Sequence, residues 1–348
     1  MLNSPRNRSI NPSLAIDNCS TLELPPAAPG LCEFAEEELW GPDFGYFQIV
    51  SLRPGSLDSF GNLEVSPPLS VNNKEYPFGR IILGGKKPGG YASTKRQMTS
   101  NVRQFVYAQK VQSPIEIYTD WLLVGHVDEI FSFIPDYYSS IDGKKFKLLV
   151  ASPSLCVDAL KELDAEGHGD VVMFKGKKKP DSKGKWISAE ITIGQLLSET
   201  ELVEFNIFDC QKNIDINKAI LKKELGLDDD DFIEIPVLFN KVEYSMETIV
   251  GTTDTIKAVA YFPDMVNHLV LGDYSLAPKP HGPVINGKDY FEKMMEKALP
   301  IGRLVRFIED WNTYHAQDGE VHCGTNALRR SFEGKPWWIY MPDGGFDI

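Results

Sequence analysis

Short runs of strand-forming residues recur along this chain with helical patterns between them, and this arrangement most narrows the folds available to it. The runs predict strands at residues 46–51, 80–83, 115–119, 147–151, 171–174, 232–238, 268–271 and 304–308. Apolar residues at helical spacing predict helices at 95–109, 155–164, 193–225 (interrupted) and 290–299. Because the two kinds of segment do not alternate strictly, the pattern indicates a mixed α/β fold.

The composition indicates one globular domain. The chain has 348 residues, of which 42% are hydrophobic and 24% charged, as expected for a protein with a large core. Neither a repeat of fixed period nor a shift in composition marks a boundary, so we expect a single domain over residues 1–348. Residues 175–185 form a basic insertion interrupted by Gly and Pro, which predicts an exposed, mobile loop.

The net charge of −13 disfavours nucleic acid as a partner and suits cationic ligands such as arginine side chains or Ca²⁺, although it could also serve solubility alone. The sequence contains no apolar run that could span a bilayer and no signal-peptide core at its start. Five scattered cysteines without a Cys-x-x-Cys pair indicate neither a zinc site nor a disulfide framework. We therefore expect a cytoplasmic protein that binds neither membranes nor nucleic acid.

Two distant segments carry candidate catalytic side chains. Residues 319–326, Gly-Glu-Val-His-Cys-Gly-Thr-Asn, contain Cys323, and residues 121–129 contain His126 and Asp128. The pattern at 124–129 predicts a short strand or strand end, on which Val124, His126 and Asp128 face the same way. A nucleophile, a proton shuttle and a carboxylate can together attack a positively charged carbon. Each residue alone also fits a structural role, and no local spacing joins Cys323 to His126.

These two segments belong to a longer series of blocks that resembles the catalytic domain of the protein-arginine deiminases. The blocks occur in the family's order at residues 4–8, 41–46, 57–68, 125–129, 262–267, 282–287 and around Cys323. The resemblance implies a five-bladed α/β propeller of the guanidino-group-modifying superfamily, built from ββαβ-type modules.

The resemblance also implies a reaction. Cys323 matches the nucleophile that adds to the guanidinium carbon, His126 the group that protonates the departing ammonia, and Asp128 a carboxylate that binds the guanidinium. The implied product is peptidyl citrulline, formed through a covalent thiouronium. Arg8 matches a residue that hydrogen-bonds the backbone of the substrate peptide, which favours proteins with exposed arginine as substrates. Val124, beside the catalytic pair, is counted with the substrate-binding residues.

Calcium is implied by the same resemblance. Phe60 and Leu63 match positions that offer main-chain carbonyls, and Glu64 matches a carboxylate ligand, which are the oxygen donors that Ca²⁺ prefers. Ser4 and Asn7 match part of a second calcium site. The family has an aspartate immediately before that serine, whereas this chain has Asn3.

The chain departs from the family pattern at its beginning. The family's second guanidinium-binding aspartate, a stacking tryptophan and several calcium ligands precede the block at 4–8, where this chain has only three residues. We therefore expect a catalytic domain that is truncated at its N-terminus relative to the family. Three hypotheses stay open: a calcium-dependent protein-arginine deiminase, an inactive relative that binds arginine-containing proteins or calcium, and an enzyme acting on free arginine or a small guanidine.

Overall fold

The computed structural model describes Glu37 and residues 55–87, 96–110, 112–138, 144–181, 184–248 and 251–325. Its helices are α1 (Ser100–Ala108), α2 (Pro153–Leu163), α3 (Ile193–Ser198), α4 (Thr200–Glu204), α5 (Gln211–Leu225) and α6 (Tyr290–Ala298). Its strands are β1 (Leu63–Val65), β2 (Leu69–Val71), β3 (Lys74–Tyr76), β4 (Ile81–Gly85), β5 (Ile115–Tyr118), β6 (Phe131–Pro135), β7 (Phe146–Ser152), β8 (Val172–Met173), β9 (Lys178–Pro180), β10 (Trp186–Ser188), β11 (Ile191–Thr192), β12 (Phe232–Pro236), β13 (Phe239–Thr248), β14 (Gly251–Ala260), β15 (Leu269–Leu271), β16 (Tyr274–Pro278), β17 (Val284–Ile285), β18 (Lys288–Asp289) and β19 (Leu304–Ile308).

Three sheets share one topology. They are ordered β1-β4-β5, β6-β7-β12 and β15-β16-β19. In each sheet the first two strands pair antiparallel, and the third strand pairs parallel with the second. A parallel return needs a crossover, and each crossover contains helix: α1, then α2 to α5, then α6. The described residues therefore contain three ββαβ modules, while closure into a propeller stays a prediction.

The local sequence explains where the crossover helices begin. Ser152 at the end of β7 accepts a hydrogen bond from the backbone N–H of Leu155, and Pro153 occupies the first position of α2. Asp289 caps α6 in the same way, accepting from the N–H groups of Phe291 and Glu292. Each cap lets the chain pass from the end of a strand directly into a helix.

One apolar core runs through all three modules. It includes Ile117 of β5, Leu148 of β7, Leu160 of α2 and Phe291 of α6, all essentially inaccessible to water. Burial of aliphatic and aromatic side chains contributes about 1.5–3 kcal/mol each, so this shared core holds the modules in a fixed arrangement. A smaller apolar cluster lies under α1.

A long hairpin connects the second and third modules. Strands β13 and β14 pair antiparallel from Phe239 opposite Ala260 to Thr248 opposite Gly251. At its base, Ala258 exchanges backbone hydrogen bonds with Trp121 and Leu123, at 2.9 and 2.7 Å. The hairpin thus joins the end of the first module to the segment that precedes β15.

Most of the predicted elements are present. Strands occupy every predicted region except 46–51, which lies outside the described residues, and helices occupy all four predicted regions. The interruption in 193–225 falls at Glu199, between α3 and α4, and a π-helical turn, Phe205–Cys210, leads into α5. The described residues of 175–185 are largely exposed as predicted, but they contain β9, which pairs with β10, and Lys177 forms a 2.7 Å ion pair with Glu309, so the segment is not simply a loop. Its mobility stays a prediction. None of the helices in the described residues is long and apolar enough to cross a membrane.

A buried amide ties the first module to the second. Asn217 of α5 is fully buried, donates to the carbonyl of Tyr118 at 2.7 Å and accepts from its N–H at 2.8 Å. We expect Asn217→Ala to lower the free energy of unfolding by about 2–4 kcal/mol, because both backbone groups lose their partner. Urea denaturation measures the change. The exposed Lys212→Ala on the same helix should cost less than about 0.5 kcal/mol, and equal losses in the two variants would contradict this role.

Candidate active site

The candidate residues lie in turns that precede the first strands of the modules. We call these the leading turns: Phe60–Asn62 before β1, Val127–Glu129 before β6, and residues 264–267 before β15. The third is closed by a 3.1 Å hydrogen bond from the N–H of Asn267 to the carbonyl of Asp264. Cys323 lies in a similar turn after β19, where the N–H of Gly324 donates to the carbonyl of Glu320.

His126 and Asp128 meet on a tight turn. The prediction of a strand at 124–129 was wrong, since Val127–Glu129 form a 3₁₀ turn. Glu129 Oε1 accepts from the N–H groups of Gly125 and His126 at 2.9 and 2.7 Å, which fixes this turn. His126 Nδ1 lies 4.0 Å from Asp128 Oδ1, so the two side chains do face the same space, because of the turn and not a strand. Half-buried Val124 lies two residues earlier.

The fold brings Cys323 to this pair. Cys323 Sγ lies 3.8 Å from Asp128 Oδ2, although the residues are 195 positions apart in sequence. Asp128 is buried, and its Oδ1 atom has no hydrogen-bond partner among the described residues. His126 Nε2 lies 2.7 Å from the carbonyl of Ser56. A buried carboxylate oxygen next to a thiol is therefore available to accept from a ligand's N–H group.

His322 is a neighbour that the sequence did not single out. Its Nδ1 atom lies 2.8 Å from Asp128 Oδ2, and its Nε2 atom lies 3.8 Å from Glu64 Oε1. This ring thus connects Asp128 to the predicted calcium ligand Glu64. The only sequence signal for it is its position beside Cys323.

Asn267 was also missed as a site residue, although its block contributed to the family resemblance. Its Nδ2 atom donates to Cys323 Sγ at 3.3 Å and to the carbonyl of Asp128 at 3.2 Å. Its Oδ1 atom accepts from the N–H groups of His322 and Cys323 at 3.0 and 3.2 Å. One side chain therefore holds the Cys323 turn against the leading turn of Asp128.

Gly61 lies between the predicted calcium ligands and the candidate catalytic residues His126 and Asp128. A Cβ atom at this position would lie 2.5 Å from His126 Nδ1 and 2.8 and 2.9 Å from the Asp128 carboxylate oxygens. Only glycine fits without displacing them. Phe60, Leu63 and Glu64, on either side of Gly61, are consequently close to the site.

The surroundings of the Cys323 thiol favour its protonated form. Cys323 as a whole is an exposed residue, but desolvation of its thiol raises the pKa far above the usual range, and the nearby carboxylates of Asp128 and Glu129 raise the pKa further. The thiolate is the nucleophilic form of cysteine. A cation bound beside these carboxylates would lower the pKa of the thiol and favour the thiolate.

A small cavity beneath Cys323 is lined by carboxyl groups, including Glu129, Asp264 and Glu320. Burial raises the pKa of Glu129 to about 8, and the negative charge of Asp128 adds to this. Burial likewise raises the pKa of Glu320 to about 8 and raises that of Asp264. These groups retain protons near neutral pH, which makes their burial tolerable.

The predicted calcium ligands are only partly within the described residues. Phe60, Leu63 and Glu64 offer two carbonyls and one carboxylate, whereas Ca²⁺ takes six to eight oxygens. Among the residues that the structure describes, no group of three or more His, Cys, Asp or Glu side chains could hold a metal ion. Ser4, Asn7 and the predicted peptide-binding Arg8 lie outside the described residues.

Comparison with known proteins identifies the family. The sequence model of "Protein-arginine deiminase (PAD)" matches residues 11–339. The chain is 46% identical over 318 residues to human protein-arginine deiminase type-3, covering 90% of this chain and 44% of that protein. It is 45% identical over 322 residues to human type-4 and 43% identical over 320 residues to human type-1, in each case covering 91% of this chain and 44% of the relative.

The chain belongs to the protein-arginine deiminase family. It spans less than half the length of the curated relatives that it matches.

The raised pKa of Glu129 predicts a pH-dependent stability. Its pKa rises from an ordinary value of 4.5 to about 8 on folding, so the folded state binds more protons between these values. This stabilisation is complete below about pH 4.5 and is lost as the pH rises through about 8. We expect the free energy of unfolding to fall by about 1–3 kcal/mol from this group between pH 5.5 and 7.5.

Urea denaturation of Glu129→Gln at both pH values tests this prediction, because a neutral amide keeps the acceptor oxygen and does not titrate. The variant should show a weaker loss of stability with rising pH than the wild type. Glu201→Gln, at an exposed position on α4, is the control. An unchanged pH dependence in Glu129→Gln would contradict the assignment.

Proposed function

We propose that this protein hydrolyses peptidyl-arginine to peptidyl-citrulline and ammonia in a calcium-dependent reaction. The observation that carries the proposal is the unpartnered, buried Oδ1 atom of Asp128, with the Cys323 thiol 3.8 Å from the other oxygen of the same carboxylate. A guanidinium is planar and presents its N–H donors as a fork, which such a carboxylate can accept. Membership of the family supports the same reading.

Binding of the substrate activates the nucleophile. The guanidinium offsets the charge of Asp128, which otherwise raises the pKa of the Cys323 thiol. The thiol then passes its proton to His126 and adds to the guanidinium carbon, which forms a C–S bond and a tetrahedral intermediate. Collapse of this intermediate breaks one C–N bond, and His126 supplies the proton with which the nitrogen departs as ammonia.

The second half of the reaction restores the thiol. The product of the first half is an S-alkylthiouronium on Cys323. His126 takes a proton from water as the water oxygen adds to the same carbon, and breakage of the C–S bond releases citrulline while His126 returns that proton to the sulfur. One arginine guanidinium and one water thus give one citrulline and one ammonium ion. The turn places His126 Nδ1 4.0 Å from Asp128 Oδ1, so both side chains can contact the same guanidinium.

Calcium binding is part of the proposal. The donor chemistry of Phe60, Leu63 and Glu64 suits a hard cation, although these residues supply only part of a coordination shell. Bound calcium would supply positive charge beside Glu64, and the placement of Gly61 against His126 and Asp128 supports a link between this turn and the site. Ser4 and Asn7 are proposed ligands of a second calcium ion, and Arg8 and Val124 are proposed contacts of the substrate peptide.

We also propose that residues 1–348 belong to one catalytic domain with the five-bladed propeller of the family. Three ββαβ modules that share a core and bring their leading turns together support this architecture. Protein substrates with exposed arginine and a cytoplasmic location complete the proposal.

The nucleophile is tested by Cys323→Ser. We expect this variant to lose citrulline formation by at least about a thousandfold, because the hydroxyl is a far weaker nucleophile at neutral pH, while binding of an arginine peptide persists. Colorimetric citrulline assays and peptide binding are measured in parallel. Cys156→Ala is the control and should retain turnover, because Cys156 is a buried cysteine on α2 outside the candidate site. Turnover in Cys323→Ser would refute the assignment, and wild-type binding without turnover would favour an inactive, arginine-binding relative.

The metal is tested by Glu64→Gln. Loss of the carboxylate charge should raise the calcium concentration needed for half-maximal activity by about tenfold or more, with direct calcium binding weakened in parallel. Calcium titrations of citrulline formation and isothermal calorimetry provide the two readouts. Glu75→Gln, at an exposed position on β3, is the matched control. Full activity in excess chelator would show that calcium is not required.

A further inference from the structure

We propose that Asn267 stabilises the Cys323 thiolate and positions it against Asp128, an inference that rests on the proposed function for its role in turnover. The residue lies immediately before the third module and is almost completely buried, at 1% exposure. It uses both ends of its side-chain amide within the site. It is therefore a candidate functional residue in addition to Cys323, His126 and Asp128.

The two ends of the amide do different work. The Nδ2 group donates one hydrogen bond to Cys323 Sγ and another to the carbonyl of Asp128. The Oδ1 atom accepts from two successive backbone N–H groups, those of His322 and Cys323. The first end touches the reacting sulfur, and the second end sets the position of the backbone that carries it.

Other buried asparagines in the described residues show what a purely structural role looks like. Asn217 bonds only to the backbone of Tyr118, and Asn206 bonds only to the backbone carbonyls of Leu202 and Phe239 and the N–H of Phe239. Within the part of the chain that the structure describes, neither side chain donates a hydrogen bond to a nucleophile. Asn267 resembles them in burial and in its backbone bonds, but differs because one of its donors points to sulfur.

The surrounding charges make this donor important. The charged and titratable groups around Sγ and the cavity beneath it come from the leading turn before β6, the turn before β15 and residues 315–323: Asp128, Glu129, Asp264, His315, Asp318, Glu320 and His322. Burial raises the pKa of the thiol most, and the carboxylates of Asp128 and Glu129 raise this pKa further, whereas hydrogen bonds from the backbone of Glu320 and from Asn267 lower it. A hydrogen bond to an ionised acceptor is stronger than one to a neutral acceptor, so Asn267 favours the thiolate over the thiol.

The experiment compares Asn267→Asp with Asn267→Ala. The aspartate keeps an oxygen acceptor for the two backbone N–H groups but cannot donate to sulfur when ionised, whereas alanine removes both functions. Asn217→Ala is the matched control, because it removes a buried asparagine of similar backbone bonding far along the chain from Cys323. The readout is the rate of alkylation of Cys323 by iodoacetamide from pH 6 to 10, quantified on the Cys323 peptide by mass spectrometry.

We expect both Asn267 variants to react about tenfold or more slowly than wild type at pH 8, with the alkylation profile displaced to higher pH. Asn217→Ala should lose stability but keep the wild-type profile. If Asn267→Asp follows the wild-type profile while Asn267→Ala does not, the residue only anchors the backbone and the stabilisation of the thiolate is refuted. Wild-type profiles in both Asn267 variants, or an equal displacement in Asn217→Ala, would overturn the proposal.

Folding and activity are followed separately. Circular dichroism and urea denaturation identify the variants that remain folded, and Asn267→Ser provides a second, smaller polar substitution if alanine or aspartate does not fold. In the folded variants, citrulline formation should show a lower kcat with little change in KM. Alkylation needs no arginine substrate and therefore tests Asn267 independently of the proposed reaction. If the wild-type protein formed no citrulline but the Asn267 variants still showed an alkylation profile displaced to higher pH, the proposed reaction would be refuted and the role of Asn267 at the thiolate would stand.

Discussion

The parallel pairing of the last strand with the middle strand is the interaction on which the rest of the structure depends. It occurs in β4/β5, β7/β12 and β16/β19, and each time it forces the chain through a helical crossover. Two parallel neighbours end at the same edge of their sheet, so the chain leaves each module at the edge where the middle strand ends. The leading turns precede these modules and the Cys323 turn follows the third module. The shared core holds these turns together although the sequence separates them widely.

The sequence predicts the elements better than it predicts their organisation. Apolar runs at 147–151 and 304–308 locate buried or half-buried strands, and the caps of α2 and α6 are local signals that need no tertiary context. The three ββαβ modules produce no repeat of fixed period in the sequence, because the module is defined by backbone pairing and its crossovers differ greatly in length. The crossover spans residues 279–303 in the third module and residues 153–231 in the second. The β13/β14 hairpin was missed, since a strand pair with many polar residues, such as Asn240, Lys241 and Glu243, carries a weak hydrophobic pattern.

The site divides in the same way between local and tertiary information. Cys323, His126 and Asp128 were predicted through the family resemblance, and the structure brings the three together, but their roles stay part of the proposal. Asn267 and His322 were missed because their significance comes only from contacts across the fold, to residues 55 or more positions away for Asn267 and to Asp128 for His322. The raised pKa values of the carboxyl groups around the cavity beneath Cys323 were not predicted either. Glu129 and Glu320 look like ordinary acidic residues in the sequence, and only the fold buries their carboxyl groups.

The absence of a side chain at position 61 has a mechanical consequence. The backbone of the turn Phe60–Asn62 already lies within contact distance of His126 and Asp128, since a single added carbon would overlap with both. Close-packed protein interiors have low compressibility. The turn therefore cannot advance toward His126 and Asp128, so it sets the narrowest width of the space between itself and these two side chains, and only its withdrawal would widen that space.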